Sequence, residues 1–228
     1  MCGRVTLRRP DRVELEGLNT RALFDTTLPR FNIAPSQELW TITEVNEERS
    51  MSPMKWGLIP NWSEKPTGFI NARAETLESK PSFRDAFLRH RCLIPADGFY
   101  EWEKLGKARQ PHYFQMKNSA PFFFAGIWDE WQLDGSSIKS CAIVTTTANK
   151  LLATIHNRMP VILTKENVDD WLRSKAKASE LRELLAPYPD SEMQGFPVSQ
   201  EVNGYQVDDA RLVEPIDSRD EVRSGMLF

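Results

Sequence analysis

Residues 112–146 read HYFQMKNSAPFFFAGIWDEWQLDGSSIKSCAIVTT and contain three apolar runs of strand length. The runs are rich in aromatic and β-branched residues, which favour strands over helices. Pro121 and the pair Asp134-Gly135 interrupt them, as turn residues do. The stretch therefore predicts consecutive strands joined by short connections, and it argues against a repeating β-α-β plan.

The same pattern extends on both sides of this stretch. Further strand candidates are ELWTITEV (38–45), RCLIP (91–95) and GFYEWE (98–103). Short helices are expected over 11–24, with Asp11 as the N-cap, over 83–90, and after residue 148. We therefore expect an α+β fold, in which mixed or antiparallel sheets curl into a β-rich, barrel-like domain flanked by short helices.

The chain has 228 residues, of which 40% are hydrophobic, and a formal net charge of −3. This size fits a single domain, which we place at residues 2–215 and follow with a polar tail at 216–228. No run approaches the roughly 20 apolar residues of a membrane span. The first twenty residues lack the apolar centre of a secretory signal, so we expect a cytoplasmic protein. The low net charge argues against a protein that binds long duplex DNA by neutralising many phosphates.

Cysteine and histidine spacing predicts neither a disulfide framework nor a metal site. The three cysteines, Cys2, Cys92 and Cys141, are odd in number and widely spaced. The chain has no CxxC pair and no HExxH motif, and it lacks the P-loop and GxGxxG signatures of nucleotide binding. We therefore expect no metal and no cofactor.

The stretch MCGRV places a cysteine directly after the first methionine. Removal of Met1 would leave Cys2 with a thiol and a free α-amine on one residue. Such a 1,2-aminothiol condenses with an aldehyde to a Schiff base, and the thiol then closes on the imine to form a thiazolidine. The α-amine has a pKa of about 8, so part of it is neutral near pH 7. The plainer alternative is a mobile terminus with no chemical role.

Three more stretches contain candidate site residues. In FINARAET (69–76) the side chains of Asn71 and Arg73 alternate and would share one face of an extended segment. In GFYEWE, Glu101 lies among aromatic residues, whose burial would raise its pKa. In TIHNRMP, His156 shortly precedes Arg158. The plainer alternatives are an exposed polar edge, a solvated glutamate and a structural histidine.

Six motifs in order resemble those of one family: MCGRVTL, RFNIAPSQ, WGLIPNW, INARAET, GFYEW and IHNRMPVIL. They are similar to the SOS response-associated peptidase family, also called abasic-site processing proteins, across nearly the whole chain. The resemblance implies a DNA-damage protein that exposes Cys2 by autoproteolytic loss of Met1. It also implies that Cys2 captures abasic sites in single-stranded DNA as a thiazolidine crosslink, with reversal or lyase activity as a further option.

The resemblance implies a role for each matched residue. Cys2 is the nucleophile, and Asn71 orients its amine. Glu101 transfers protons, and His156 helps to open the abasic sugar. The implied DNA contacts are Arg4, Arg73 and Arg158 to phosphates, Pro35, Trp62 and Trp102 as apolar or stacking surfaces, and Thr145 through its backbone.

The chain departs from the family pattern at two places. Trp62 stands alone between Asn61 and Ser63, where some members have two adjacent tryptophans, and Asn157 stands where the family often has Asp. We expect a monomer whose partner is single-stranded DNA with abasic sites, and no membrane partner.

Three other functions stay open at this point. An amidotransferase of the N-terminal-nucleophile type also begins with Met-Cys-Gly, although it has a larger domain with glutamine-binding motifs that are not found here. A non-covalent binder of modified or single-stranded DNA would not need Cys2. A protease acting on partner proteins would need a substrate pocket, for which the sequence gives no signature.

Overall fold

The computed structural model describes residues 2–13, 18, 20–21, 28–133, 135–173 and 176–216. The polar tail predicted at 216–228 lies outside these ranges, apart from Ile216. The strands are β1 (Val5–Leu7), β2 (Thr20–Arg21), β3 (Arg30–Ile33), β4 (Glu38–Val45), β5 (Glu48–Trp56), β6 (Asn71–Arg73), β7 (Arg91–Ala96), β8 (Gly98–Leu105), β9 (Ala108–Met116), β10 (Phe122–Leu133), β11 (Ser136–Thr147), β12 (Arg158–Pro160), β13 (Ile162–Leu163) and β14 (Met193–Pro197). The α-helices are α1 (Pro81–Arg89), α2 (Lys150–Ala153), α3 (Val168–Leu172) and α4 (Ala178–Glu183).

The strands form two sheets, and the predicted β-rich α+β class is confirmed. The first sheet is antiparallel and has the order β14-β9-β8-β1-β3. The second has the order β12-β11-β10-β7-β4-β5-β2, with β13 paired to β10 and β6 paired to β11. Parallel pairs join β11 to β5 and β6, and β2 to β5, so this sheet is mixed.

In the first sheet, the first half of β8 and the second half of β9 are buried on both faces, which explains why they are apolar at successive positions. Phe99 and Phe114 are cross-strand neighbours whose stacked rings lie 5.4 Å apart in the main core. Tyr100 and Tyr113 point to the opposite face, as the two-residue period of a strand requires. There they pack with Val198, Val202 and Leu212 in a smaller core. The segment after β14 therefore covers the outer face of this sheet.

Short helices flank the sheets as predicted, but one expected helix is wrong. Over 11–24 the structure has a 3-10 turn at Pro10–Arg12, with Asp11 inside it, and the strand β2 at Thr20–Arg21. The other residues of that range, apart from Val13 and Leu18, lie outside the described residues. The pairing of β2 with β5 spans two residues, which is too short to leave a periodic pattern.

A buried carboxylate fixes the strand that follows Cys2. Asp97 is fully buried in the bend between β7 and β8, where the sequence indicated only a turn. It accepts hydrogen bonds from the Thr6 hydroxyl at 2.6 Å and from the backbone N–H groups of Arg8 at 2.7 Å and Arg9 at 3.0 Å. Charge-assisted bonds of this kind are strong. They hold β1, and with it the start of the chain, against β8.

Candidate active site

Cys2 lies at the entrance to β1 and is closed off from solvent. With Met1 attached its amine is a peptide nitrogen, and the residue is 1% exposed. Its Sγ lies 3.9 Å from the carbonyl oxygen of Arg4. Burial, and then the charge of Glu101, raise the pKa of the thiol above its ordinary value. The thiol is therefore protonated at neutral pH and is a weak nucleophile by itself.

Asn71 contacts Cys2 directly. It opens β6, whose parallel pairing with β11 places Asn71 opposite Ile143. Its Nδ2 donates a hydrogen bond of 2.8 Å to the Cys2 carbonyl oxygen. Its Oδ1 is buried and accepts no hydrogen bond from the residues in the described ranges. A buried acceptor without a donor is costly, so this oxygen is suited to a group that the site gains later.

Glu101 supplies a buried carboxyl group beside the thiol. It lies on β8 and is 2% exposed. Burial raises its pKa to about 7. The same carboxyl group acts on the Cys2 thiol through its charge, so the two side chains are electrostatic neighbours. A group that titrates near pH 7 can both donate and accept a proton, which is the property required of an acid-base catalyst.

His156 follows α2, where the chain turns into β12. Its Nδ1 lies 3.0 Å from the backbone nitrogen of Arg158 and 3.3 Å from the carbonyl oxygen of the same residue. In the tautomer in which Nδ1 accepts the Arg158 N–H, the proton of the neutral ring is on Nε2. Burial, and then the positive charge of the amino terminus, lower the pKa of His156. The amino-terminal charge also lowers the pKa of Glu101, against the larger effect of burial. His156 and Glu101 therefore both lie within electrostatic reach of the start of the chain.

Arg158 is held in an ion pair that the sequence did not predict. Its guanidinium donates to both carboxylate oxygens of Glu75, with a distance of 2.9 Å to Oε2. It also donates to the carbonyl oxygen of Thr145 at 2.6 Å. Arg73 is exposed and helps to lower the pKa of Glu75, after the hydrogen bond from Arg158. Residues 71–75 and 156–158 therefore meet at β11, on which Thr145 faces both Arg73 and Pro160 in register.

Arg4 and Trp102 meet at a loop that sequence analysis missed. Arg4 donates to the Asn32 side chain and to the Val202 carbonyl, both at 2.7 Å. It also donates to the Asn203 carbonyl at 3.3 Å, while the Trp102 indole N–H donates to the Asn203 side chain at 2.8 Å. Two of these four acceptors are backbone carbonyls, which leave no signal in a sequence. The segment from Gln200 to Asn203, a 3-10 helix, thus lies beside Arg4, which is between Cys2 and β1.

The two remaining predicted residues lie on loops at the end of strands. Pro35 is half-buried in the turn between β3 and β4. Trp62 follows β5 and is 62% exposed. Cys2, Asn71 and Glu101 therefore form one group, and Arg73, Thr145 and Arg158 form a second. His156 contacts the second group through Arg158 and is linked to the first by the charge of the amino terminus. Arg4 and Trp102 form a third group.

Three further features of the described residues concern metal ions, membranes and disulfides. Within the part of the chain that the structure describes, no group of three or more His, Cys, Asp or Glu side chains is placed to hold a metal ion. None of the helices in the described ranges is long and apolar enough to cross a bilayer. The three cysteines are free and buried.

Comparison with known proteins supports the family resemblance. Abasic site processing protein YoqW of Bacillus subtilis (strain 168) is 40% identical over 222 residues, covering 94% of this chain and 99% of the relative. Abasic site processing protein YedK of Escherichia coli (strain K12) is 30% identical over 223 residues, covering 95% and 100%. A crystal structure of a protein from Bacteroides thetaiotaomicron superposes with a TM-score of 0.82 at 25% identity, over 95% of this chain and 100% of that one.

The family profile gives the same result as these pairwise comparisons. A profile described as "SOS response associated peptidase (SRAP)" matches residues 1–205, which include all the predicted site residues. The chain belongs to the SOS response associated peptidase family.

Proposed function

We propose that this chain processes abasic sites in single-stranded DNA by trapping the sugar aldehyde on Cys2 after Met1 is lost. The observation that carries the proposal is the convergence on Cys2 of the Asn71 amide, at 2.8 Å, and the buried Glu101 carboxyl group. Relatives that match almost the whole chain are named abasic site processing proteins, which supports the substrate class.

Loss of Met1 is the first step of the proposed reaction. Hydrolysis of the Met1–Cys2 bond consumes one water and leaves an α-amine next to the thiol. In the family this step is an autopeptidase activity, and we propose the same origin here. The new amine gains hydrogen-bond donors, which the buried Oδ1 of Asn71 is suited to accept.

Condensation follows in two stages. The neutral amine adds to the C1′ aldehyde of the ring-opened sugar, and Glu101 gives a proton to the departing hydroxyl, so that one water leaves and a C=N bond forms. The Cys2 sulfur then adds to the imine carbon, and its proton passes to the nitrogen. The thiazolidine contains protein and DNA minus one water. Reversal uses the same proton path through Glu101, and elimination from the imine stage would give the lyase activity.

His156 is proposed to act before condensation. An abasic sugar is mainly a closed hemiacetal, which must open to expose its aldehyde. In the tautomer in which Nδ1 accepts the Arg158 N–H, the Nε2–H can donate to the ring oxygen as that bond breaks. A His156→Ala variant is therefore expected to crosslink slowly to a natural abasic site and at the normal rate to an oligonucleotide with a permanently open aldehyde.

DNA is proposed to reach the site along the exposed and arginine-bearing surface around it. Arg73 is exposed, and Trp62 offers an exposed indole on which a base can stack. Arg158 has a buried Nε–H with no acceptor among the described residues, which leaves a donor for a phosphate. Arg4, Pro35, Trp102 and Thr145 are proposed to shape the cleft, with Arg4 and Thr145 acting through the partners that they bind.

The test is the intact mass of the purified protein before and after incubation with a single-stranded oligonucleotide that carries one abasic site. We expect a mature chain without Met1 and an adduct equal to protein plus DNA minus water. Cys2→Ser is the matched control, because it keeps the amine but cannot form the thiazolidine; its adduct should require borohydride to survive heating. If the purified protein lacks Met1 and still forms no adduct, the proposal is refuted.

The same samples distinguish the alternatives. A non-covalent binder would hold the DNA equally well with Met1 retained and with Cys2 replaced, and would give no adduct. An amidohydrolase would release ammonia from glutamine. A non-covalent binder does not explain why Asn71 and Glu101 converge on Cys2, and the ammonia assay tests the amidohydrolase.

A further inference from the structure

The loop between β5 and β6 is attached to the sheet at its base and near its middle. Gly57 and Gly68 approach so closely that a Cβ on Gly68 would lie 2.1 Å from the Gly57 carbonyl oxygen. Next to them Leu58 and Phe69 exchange two backbone hydrogen bonds of 2.9 Å. The loop then runs through Ile70 directly into Asn71, so its base and the active site share one piece of backbone.

The chain around Trp62 is bound on both sides. The backbone N–H of Asn61 donates to Oδ2 of Asp129 at 2.8 Å. The indole Nε1–H of Trp131 donates to the carbonyl oxygen of Ser63 at 2.7 Å. Asp129 and Trp131 are alternate residues of β10, and they are 9% and 5% exposed. Two nearly buried polar groups of the sheet therefore bind this loop.

Trp62 is unusually exposed for a tryptophan. Its side chain is 62% exposed, although tryptophan is highly buried on average. An indole on a free loop would lose much conformational freedom when it stacked on a base. Because the backbone is fixed at both flanking residues, most of that ordering has taken place before DNA arrives, and affinity is gained by preorganisation.

We propose that Asp129 and Trp131 are positioning residues for Trp62, and that they hold its indole in the orientation that stacks on an unpaired base next to the lesion. The inference rests on the proposed function, because it needs single-stranded DNA as the ligand. It assigns to two residues of β10 a role in DNA affinity without contact to the DNA. It also separates affinity, which depends on this loop, from the chemistry at Cys2.

Trp131→Phe is the sharpest variant, because it keeps an aromatic ring in the buried site and removes only the N–H donor. Affinity is measured with a single strand that carries a tetrahydrofuran abasic analogue, which has no aldehyde and cannot crosslink. We expect the dissociation constant to rise about fivefold to tenfold, within the range of one base stacked on an aromatic ring. The crosslinking rate at saturating DNA with a true abasic site should stay unchanged.

Trp128→Phe is the matched control on the same strand. Trp128 stacks on His90 with ring centroids 4.7 Å apart and takes no part in binding the loop, so its substitution should leave DNA affinity unchanged. Asp129→Ala should weaken binding as Trp131→Phe does, and Asp129→Asn, which keeps an acceptor oxygen, should restore it. Circular dichroism identifies any variant that fails to fold. If Trp131→Phe does not fold, the comparison of Asp129→Ala with Asp129→Asn tests the inference.

A double-mutant cycle decides whether the effect passes through Trp62. Trp62→Ala should weaken binding at least as much as Trp131→Phe, and the double variant should bind no more weakly than Trp62→Ala alone. Additive losses, an unchanged affinity in Trp131→Phe, or a lower rate at saturating DNA would each overturn the inference. An unchanged affinity in Trp62→Ala would also overturn the inference. If that variant still formed the adduct, the proposed function would stand. Failure of the wild type to form an adduct would instead refute the proposed chemistry, and the affinity measurements would still stand.

Discussion

The side-chain amide of Asn71 donates its hydrogen bond to the carbonyl oxygen of Cys2 and not to the thiol. It therefore fixes the backbone of the reacting residue, leaving the sulfur and the future amine to turn toward the substrate. Removal of one such bond typically costs about 1 kcal/mol, and an orphaned buried partner adds to the loss.

For this reason Asn71→Ala should slow crosslinking about tenfold at saturating DNA, with little change in DNA affinity. Single-turnover kinetics by denaturing gel measures the rate. Thermal melting serves as the control for folding. A variant that crosslinks at the wild-type rate would show that the contact has no part in orienting Cys2.

The pH dependence of crosslinking should report Glu101. Burial raises the pKa of Glu101 to about 7, so the carboxyl group is protonated, and able to act as an acid, below that pH. The α-amine is neutral above about pH 8. The product of these two requirements is a rate maximum between the two values.

Glu101→Gln should lower the rate and remove the falling side of this profile, so that the remaining activity increases with pH as the amine loses its proton. Rates at saturating DNA from pH 5.5 to 9.5 measure both profiles. A wild-type rate that rises steadily to pH 9.5 would contradict acid catalysis by Glu101.

The same burial should make Glu101 a cost to stability. Its pKa in the folded protein, about 7, exceeds the ordinary value of 4.5. Between these values the folded state binds a proton that the unfolded state has lost, so stability falls as pH rises through this window. A shift of this size corresponds to about 3 kcal/mol above pH 7.

Glu101→Gln should therefore be more stable than the wild type at pH 8, by up to about 3 kcal/mol, and equal to it near pH 4. Urea denaturation at the two pH values gives the free energies of unfolding. A stability difference that does not change with pH would mean that Glu101 is ionised without cost in the folded protein.

Glu75 should compete with a DNA phosphate for the guanidinium of Arg158. Because Glu75 already occupies the guanidinium, neutralising it by Glu75→Gln should tighten single-strand binding about threefold, the worth of a partly exposed ion pair. The dependence of affinity on salt should also become steeper.

Glu78→Gln is the charge-matched control, since Glu78 pairs with Arg182 at 3.4 Å between exposed side chains. Titrations at several salt concentrations measure both variants. Weaker binding by Glu75→Gln would show instead that the carboxylate orients Arg158 for the phosphate.

Sequence patterns predicted the local structure well and the long-range contacts poorly. The range predicted for β4 is the range observed, because a strand with neighbours leaves an alternating pattern in its own residues. Glu101 was a candidate because its aromatic neighbours implied burial. By contrast, the contacts of Arg4 with residues 202 and 203 involve backbone carbonyls, which any residue type offers.

Asp97 also shows that long-range contacts could not be predicted from local sequence. Its turn was predicted, since Asp-Gly is a turn signal, but its binding of Thr6, Arg8 and Arg9 depends on the pairing of β1 with β8. These two strands are separated by about ninety residues of chain. Local sequence cannot specify which distant strand will be the neighbour.

The bond between Arg4 and the Val202 carbonyl spans 198 positions of the chain, and this has a consequence during synthesis. A ribosome adds about 5–20 residues per second, so the first strand waits at least about ten seconds for the partner that completes its binding. During that interval the fold around Cys2 is incomplete, so the proposed autopeptidase step cannot begin. The nascent protein would thus keep Met1, and with it a blocked amine, and would become a competent aldehyde trap only when almost all of it has been made.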